Sequence, residues 1–266
     1  MYFDEQGWRI PFEGMRVFGE KRSNYYKLEQ PEINYEDILE RSKKNNICPV
    51  SFTVKEFETK AKKLLEDIKK NKDFSNLING VHIPFVSFSS GNETDLGSQL
   101  ENYLLPNLKT AFLEKHPESH FKAVLQSNAE LKNNLLIDEN SRYGKFIKTC
   151  SNKVVVGWYF PQAVQEYDIS SQRKQMLSLP QPDEFELCLS GSIDICSAVI
   201  GSPSLLINKD DYCPILCMSS LEHKDKRLTL ILKSYGPHME FWLLTNMLTP
   251  LMEQVSEQWT GGLSIY

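Results

Sequence analysis

The sequence predicts an α/β fold, with a mixed, largely parallel sheet flanked by helices and an antiparallel strand pair near residues 212–235. Three observations carry this prediction. Segments of helical period alternate with short β-branched and aromatic runs through the middle of the chain, which favours helices packed on a mostly parallel sheet. NKVVVGWYFP, residues 152–161, is continuously apolar, as expected of a strand buried on both faces. YCPILCMSS and RLTLILKSYG flank LEHKDKR and read as two strands of a hairpin.

Residues 1–33 mix aromatics, glycines and prolines without a clear period and read as an irregular arm. Trp8, Ile10, Phe12 and Phe18 are too apolar for a free tail, so the arm is expected to lie across the body. Residues 34–266 then form a single α/β domain, and SLPQPDE, residues 178–184, is the one weak internal boundary. A short helix is expected after Asn34, with Ile38 and Leu39 inward. The next helix starts at Thr53, where TVKE offers a capping box, and Phe57, Ala61, Leu64, Leu65 and Ile68 recur at helical spacing. VHIPFVSF, residues 81–88, reads as a strand, and Pro84 marks it as an edge or a bulge because proline cannot donate to a ladder.

A helix carrying Leu96, Leu100, Tyr103, Leu104, Leu108, Ala111 and Phe112 on one stripe should follow, kinked at Pro106. FKAVLQ is the next strand and SNAELKNNLLIDE a capped helix. After Pro161 the pattern suggests one helix through Tyr167 and a second through Met176. FELCLSG reads as a strand and SIDICSAVIG as a helix capped by Ser192. The last helix is expected from Gly236-Pro237, proline suiting a first turn, through Leu244, Met247, Leu248, Leu251, Met252, Val255 and Trp259.

The composition is that of an ordinary globular chain, 41% hydrophobic and 24% charged. A formal net charge of -5 argues against general affinity for nucleic acid, which needs clustered cations. The lysines near residues 60–70 alternate with glutamates and read as a solvated helix face. No stretch of eighteen apolar residues predicts a membrane span, and no early segment has the form of a Sec signal peptide. Cys48, Cys150, Cys188, Cys196, Cys213 and Cys217 are therefore expected to be reduced thiols in a cytoplasmic protein, although other secretion routes stay open. Lysine far exceeds arginine and asparagine is plentiful, which fits an AT-rich bacterial genome.

VSFSSGNETD, residues 86–95, breaks from a strand into serines, a glycine and an asparagine and then opens a helix. If the sheet is parallel, this loop lies at its carboxyl edge, where open α/β folds place ligands. Ser89, Ser90, Gly91, Asn92 and Thr94 would then offer hydroxyls and amide hydrogens to a small anion, phosphorylated or not. LSGSID repeats the design with Ser190, Gly191, Ser192 and Asp194. A plain polar connection with a good cap explains each stretch equally well. The patterns GxxxxGK[ST], GxGxxG and GxSxG are absent.

His82 and His238 are the candidate proton carriers, should group transfer or hydrolysis take place at that edge. The spacings of Cys213 with Cys217 and of His116 with His120 do not suit a shared metal ion. Two functions are thus expected: a small-anion-binding protein with its site at the strand-to-helix loops, or a non-enzymatic interaction protein such as a bacterial effector delivered into a host cell. Which cofactor, if any, the chain uses is left open by the sequence.

Overall fold

The computed structural model describes residues 1–15, 17, 25–89, 95–124, 130–208, 210–245 and 257–266. Asn34 caps helix α1 (Tyr35–Lys44) by accepting from the Glu36 and Asp37 amides, and Ile38 and Leu39 face inward. Helix α2 (Val54–Lys70) opens on the expected capping box, with Thr53 Oγ1 accepting from Glu56 N–H and Glu56 returning to Thr53 N–H.

Strand β1 (Ile83–Ser87) lies at the sheet edge, where Pro84 is tolerated. The following helix comes in three parts: α3 (Leu96–Gln99), a π-helical turn (Leu100–Leu104) and α4 (Leu105–Lys115). Pro106 has no N–H to donate four residues back, and the widened turn sits directly before it, with Leu105 N–H reaching the Leu100 carbonyl.

Strand β2 (Phe121–Val124) is followed, beyond residues 125–129, not by the expected helix but by turns and the short strand β3 (Leu135–Leu136). Helix α5 (Arg142–Asn152) was not anticipated, and Tyr143, Phe146 and Cys150 are buried on it. Strand β4 (Val155–Gln165) is buried at every position and runs through Pro161, where a helix was expected. The chain stays extended because a bulge sets β4 residues 161–163 opposite Gly262, so Pro161 donates nothing to a regular ladder. Then come α6 (Ile169–Leu177), β5 (Leu187–Leu189), α7 (Ser192–Gly201), β6 (Ile215–Cys217), β7 (Glu222–His223) and β8 (Leu228–Tyr235).

The chain does not enter a helix at Gly236-Pro237. Gly236, with φ +56°, and Pro237 form a two-residue hairpin turn into β9 (His238–Thr245), and β10 (Trp259–Ile265) ends the chain. Residues 246–256 of the expected helix lie outside those described.

The main sheet runs β1-β4-β10-β6-β8-β9-β2, with β5 also paired to β10. The mixed α/β class is as predicted, and so is the antiparallel pair near residues 212–235, with Leu216 opposite Leu232 and Cys217 opposite Ile231. The balance of directions differs from the expectation. Five antiparallel pairings stand against two parallel ones, β10 with β6 and β2 with β9. The chain after residue 235, expected as a helix, returns instead as strands and takes part in five of the seven pairings, three antiparallel and both parallel.

Alternation along β4 builds two cores. Tyr159 joins α4, α7 and the Ile83 and Phe85 side chains on one face, while Trp158 and Phe160 join α2 and the amino-terminal Phe3 on the other. Trp158 fixes α2 by donating from Nε1 to the Ala61 carbonyl at 2.8 Å. From the amino-terminal residues, Phe3 and Trp8 are buried, Ile10 and Phe12 are 40% and 39% exposed, and Phe18 lies outside those described.

Gly262 in β10 is packed under the Tyr159 ring, so a methyl there would sit 2.2 Å from Cε2. Gly262→Ala is expected to destabilise the fold by about 3 kcal/mol, the upper range for overpacking a closed core. Urea unfolding checks this, and Thr53→Ala provides the milder comparison at about 1 kcal/mol, the usual loss of an N-cap.

Candidate functional site

The strand directions separate the two serine-bearing junctions. Strands β1 and β10 are both antiparallel to β4, and β5 is antiparallel to β10, so β1 and β5 run oppositely and their following loops leave from opposite ends. Ser87 aligns with Val155, whereas Leu189 aligns through Leu263 with Phe160. Five residues of strand lie between these levels, about 17 Å.

Ser89 N–H donates to the Cys150 carbonyl at 2.9 Å, and its Oγ accepts from Gln99 Nε2 at 3.1 Å. Ser90, Gly91, Asn92 and Thr94 lie outside the described residues. His82 sits beside β1 and His238 opens β9, five strand spacings away, or about 24 Å along the sheet. The His82 ring packs on Trp158 and Phe160, and burial lowers its pKa. His238 stacks on His120 with centroids 3.5 Å apart, and its Nδ1 accepts from His120 N–H. The structure does not bring the two histidines together.

Ser190, Gly191, Ser192 and Asp194 do share one place, but it is closed. Every residue of α7 is buried. Gly191, not Ser192, is the N-cap, and Asp194 reaches back to accept from Gly191 N–H at 2.9 Å. The other Asp194 oxygen accepts from Ser264 Oγ at 2.5 Å, and Ser190 Oγ lies 3.2 Å from Ser264 Oγ. Tyr143 lies against Gly191 and accepts from Ile193 N–H at 3.0 Å. The junction's amides and carboxylate are thus turned on one another.

Burial raises the Asp194 pKa despite these donors, and it raises those of Tyr143 and Tyr159, with the nearby Asp194 charge as the second cause. Burial also raises the Cys150, Cys188 and Cys196 thiols and pushes Cys217 up to about 12, which holds them as unreactive thiols.

A cleft of about 540 Å³ opens beside this closed junction. Its position follows from β10, whose outer edge pairs first with β6 and then with β5. The two strands end against each other, and the segments after them are joined by Ser220 N–H to the Ser190 carbonyl and Ser220 Oγ to the Leu189 carbonyl. Helices α5 and α6 and the β3–β7 pair wall the space outside this step.

Leu136, Ile137, Met176, Leu177 and Leu189 give the cleft an apolar lining. Arg173 secures one wall with all three of its donor nitrogens engaged, to Ser219 O, Leu221 O and Glu222. Arg142 differs. Its Nη2 donates to the Leu179 carbonyl at 2.7 Å, but Nη1 is shielded from water and has no hydrogen-bond partner among the described residues. An N–H in that condition carries a desolvation cost that an acceptor would remove.

Neither arginine nor the cleft was read from the sequence. The available signal was Ser141 ahead of Tyr143, Phe146, Ile147 and Cys150, a cap followed by a helical stripe, which places Arg142 in a first turn. Among the described residues, no helix is long and apolar enough to cross a membrane, and no three metal-ligating side chains gather as a cation site.

Because Asp194 has its folded-state pKa above the ordinary value near 3.8, the native chain retains a proton that the unfolded chain releases. The stability from this group is therefore full below that value and declines as pH rises above it. Asp194→Asn keeps an acceptor and a donor in place, so the stability difference between variant and wild type is expected to move in the variant's favour from pH 4 to 8. Urea midpoints across that range test this, and a difference independent of pH would refute it. Comparison with protein-family models, curated proteins and solved structures finds no match to this chain.

Proposed function

We propose that the chain binds a small monoanionic amphiphile, its carboxylate at Arg142 and its apolar body along the leucine-lined floor of the cleft. The observation that carries this reading is Arg142, a guanidinium lining an otherwise largely apolar space and forming no ion pair among the described residues. The volume suits a small molecule. The charges favour one negative charge over two, since Arg173 is already paired with Glu222 at 2.6 Å and Asp138 also lines the cleft. A phosphate dianion would need more donors than one guanidinium edge provides. The described lining contains no histidine or cysteine, and the proposal is for binding without a catalytic step.

A second reading has its own support. Leu177 is 83% exposed and Leu136 39% exposed at the rim, so the cleft could instead receive apolar side chains of a protein partner.

Isothermal titration with a series of eight- to twelve-carbon carboxylates and the matching alcohols tests the first reading. Carboxylates are expected to bind at least about tenfold more tightly than alcohols, and Arg142→Gln should remove that preference, as loss of a hydrogen bond to a charged group predicts. Equal affinity for acid and alcohol, or no binding, would overturn it. Partner binding that survives Arg142→Gln and is lost in Leu177→Glu would establish the second.

A further inference from the structure

A second cavity, of about 430 Å³, lies between the Tyr212 segment and the turn joining β8 to β9. It is separate from the Arg142 cleft and shares none of its lining residues. Its two aromatic walls are unusually bare. Tyr212 is 64% exposed and Tyr235 71% exposed, and Tyr25, 52% exposed, stacks on Tyr212 with centroids 5.2 Å apart and planes at 22°. Tyr26 meets Tyr25 edge-on at 5.1 Å.

This arrangement is held by backbone. Tyr26 bridges to Tyr212, and Lys27 N–H donates to the Tyr212 carbonyl at 3.0 Å. On the opposite wall the tight hairpin at Gly236 fixes the position of Tyr235, whose ring has no stacking or hydrogen-bonding partner among the described residues. Tyr212 and Tyr235 lining one hollow, with Tyr25 stacked on Tyr212, differ from the scattered exposed apolar residues normal on a surface.

The charged side chains of the described lining are both acidic. Asp210 and Asp211 line the cavity, and neither has an ion-pair partner among the described residues. No lysine or arginine contributes to the described lining. Tyr26 has its pKa raised by burial and then by the charge of Glu257, which places a third carboxylate near the cluster and keeps the phenol protonated.

Electron-rich ring faces attract cations, and fixed carboxylates add to that attraction. A small hard metal ion needs several oxygen ligands at short range, and no such group of residues exists among those described. A diffuse cation with methyl groups suits both components, since the methyls pack on the rings while the charge is balanced by the aspartates. We infer that this cavity binds an alkylated ammonium group, as a free small molecule or on a methylated lysine side chain.

The test is an NMR titration of the full chain with choline, with its neutral isostere 3,3-dimethylbutan-1-ol, and with a trimethyllysine peptide beside its unmethylated form. Choline or the methylated peptide is expected to shift the tyrosine ring signals and to bind at least about fivefold more tightly than its control, the range of a cation–π contact at an exposed site. A tighter choline arm identifies a free ligand, and a tighter peptide arm a modified protein; either supports the site. Tyr235→Ala, at an exposed position with no side-chain partner among the described residues, should leave the thermal midpoint unchanged and weaken binding about two- to fivefold. Asp211→Asn should weaken it as well. Binding of the neutral isostere as strong as that of choline, affinity unchanged in both variants, or no shift with any cation would overturn the inference. Arg142→Gln is expected to leave these titrations unaltered, so failure at one cavity is distinguishable from failure at the other.

Discussion

The contact on which the rest of the fold depends is the Asp194 carboxylate, which holds the start of α7 to the end of β10. One oxygen takes Gly191 N–H and the other takes Ser264 Oγ, so one side chain fastens the N-terminus of a wholly buried helix to the central strand. A helix buried on every side has no solvent face to orient it. Its angle is set by what it is attached to, and here the attachment is this carboxyl group together with Tyr143 from α5. The arrangement places an ionisable group where charge is poorly solvated, which is why its proton is retained more strongly than in water.

From that brace the geometry of the cleft follows. With α7 fixed, Ser190 must leave β10 beside Gly262, whose carbonyl accepts its N–H at 2.9 Å. Strand β5 therefore stops there, and β6 arrives on the same edge from the other direction. Neither strand can extend without colliding with the other, so the sheet steps outward at this point. Helices α5 and α6 cover the step only in part, and the space left between them is the cleft that Arg142 and Met176 line. The closed serine junction and the open cleft are two sides of one packing constraint.

Local chemistry was legible where it was sufficient to decide the structure. The Thr53 and Glu56 pair fixed a helix start, Asn34 fixed another, Pro84 restricted β1 to an edge, and the apolar run of β4 announced burial on both faces. The carboxyl-terminal region was misread where one strong cue outweighed a weaker pattern. Met239, Phe241 and Leu243 alternate and are all buried, a strand signature, but Gly236-Pro237 also suits a helix start. The two glycines of β10 read as a break in any local scheme. They are compatible with a strand only because Tyr159 and Gln172 occupy the space their side chains would fill. The cleft was less accessible still, since the pairing of Arg142 depends on the Leu179 carbonyl, 37 residues away, and on where α6 lies.

The misplaced expectation of a serine-lined anion edge has a general cause. In an all-parallel sheet every strand-to-helix loop emerges at one end, so similar loops can combine into one site. Here β1 and β5 run oppositely, and likeness of sequence between their loops says nothing about proximity. What distinguishes a binding group from a structural one is then whether it lies at an open cavity or is closed into the core. Ser190, Gly191 and Asp194 pair with one another inside the core, and Ser192 Oγ, without a partner among the described residues, is closed in beside them, whereas Arg142 lines the open cleft and Tyr235 the second cavity. Buried polar groups that complete each other stabilise a fold, and groups left incomplete at the wall of a cavity are where a ligand can add interactions the chain itself does not make.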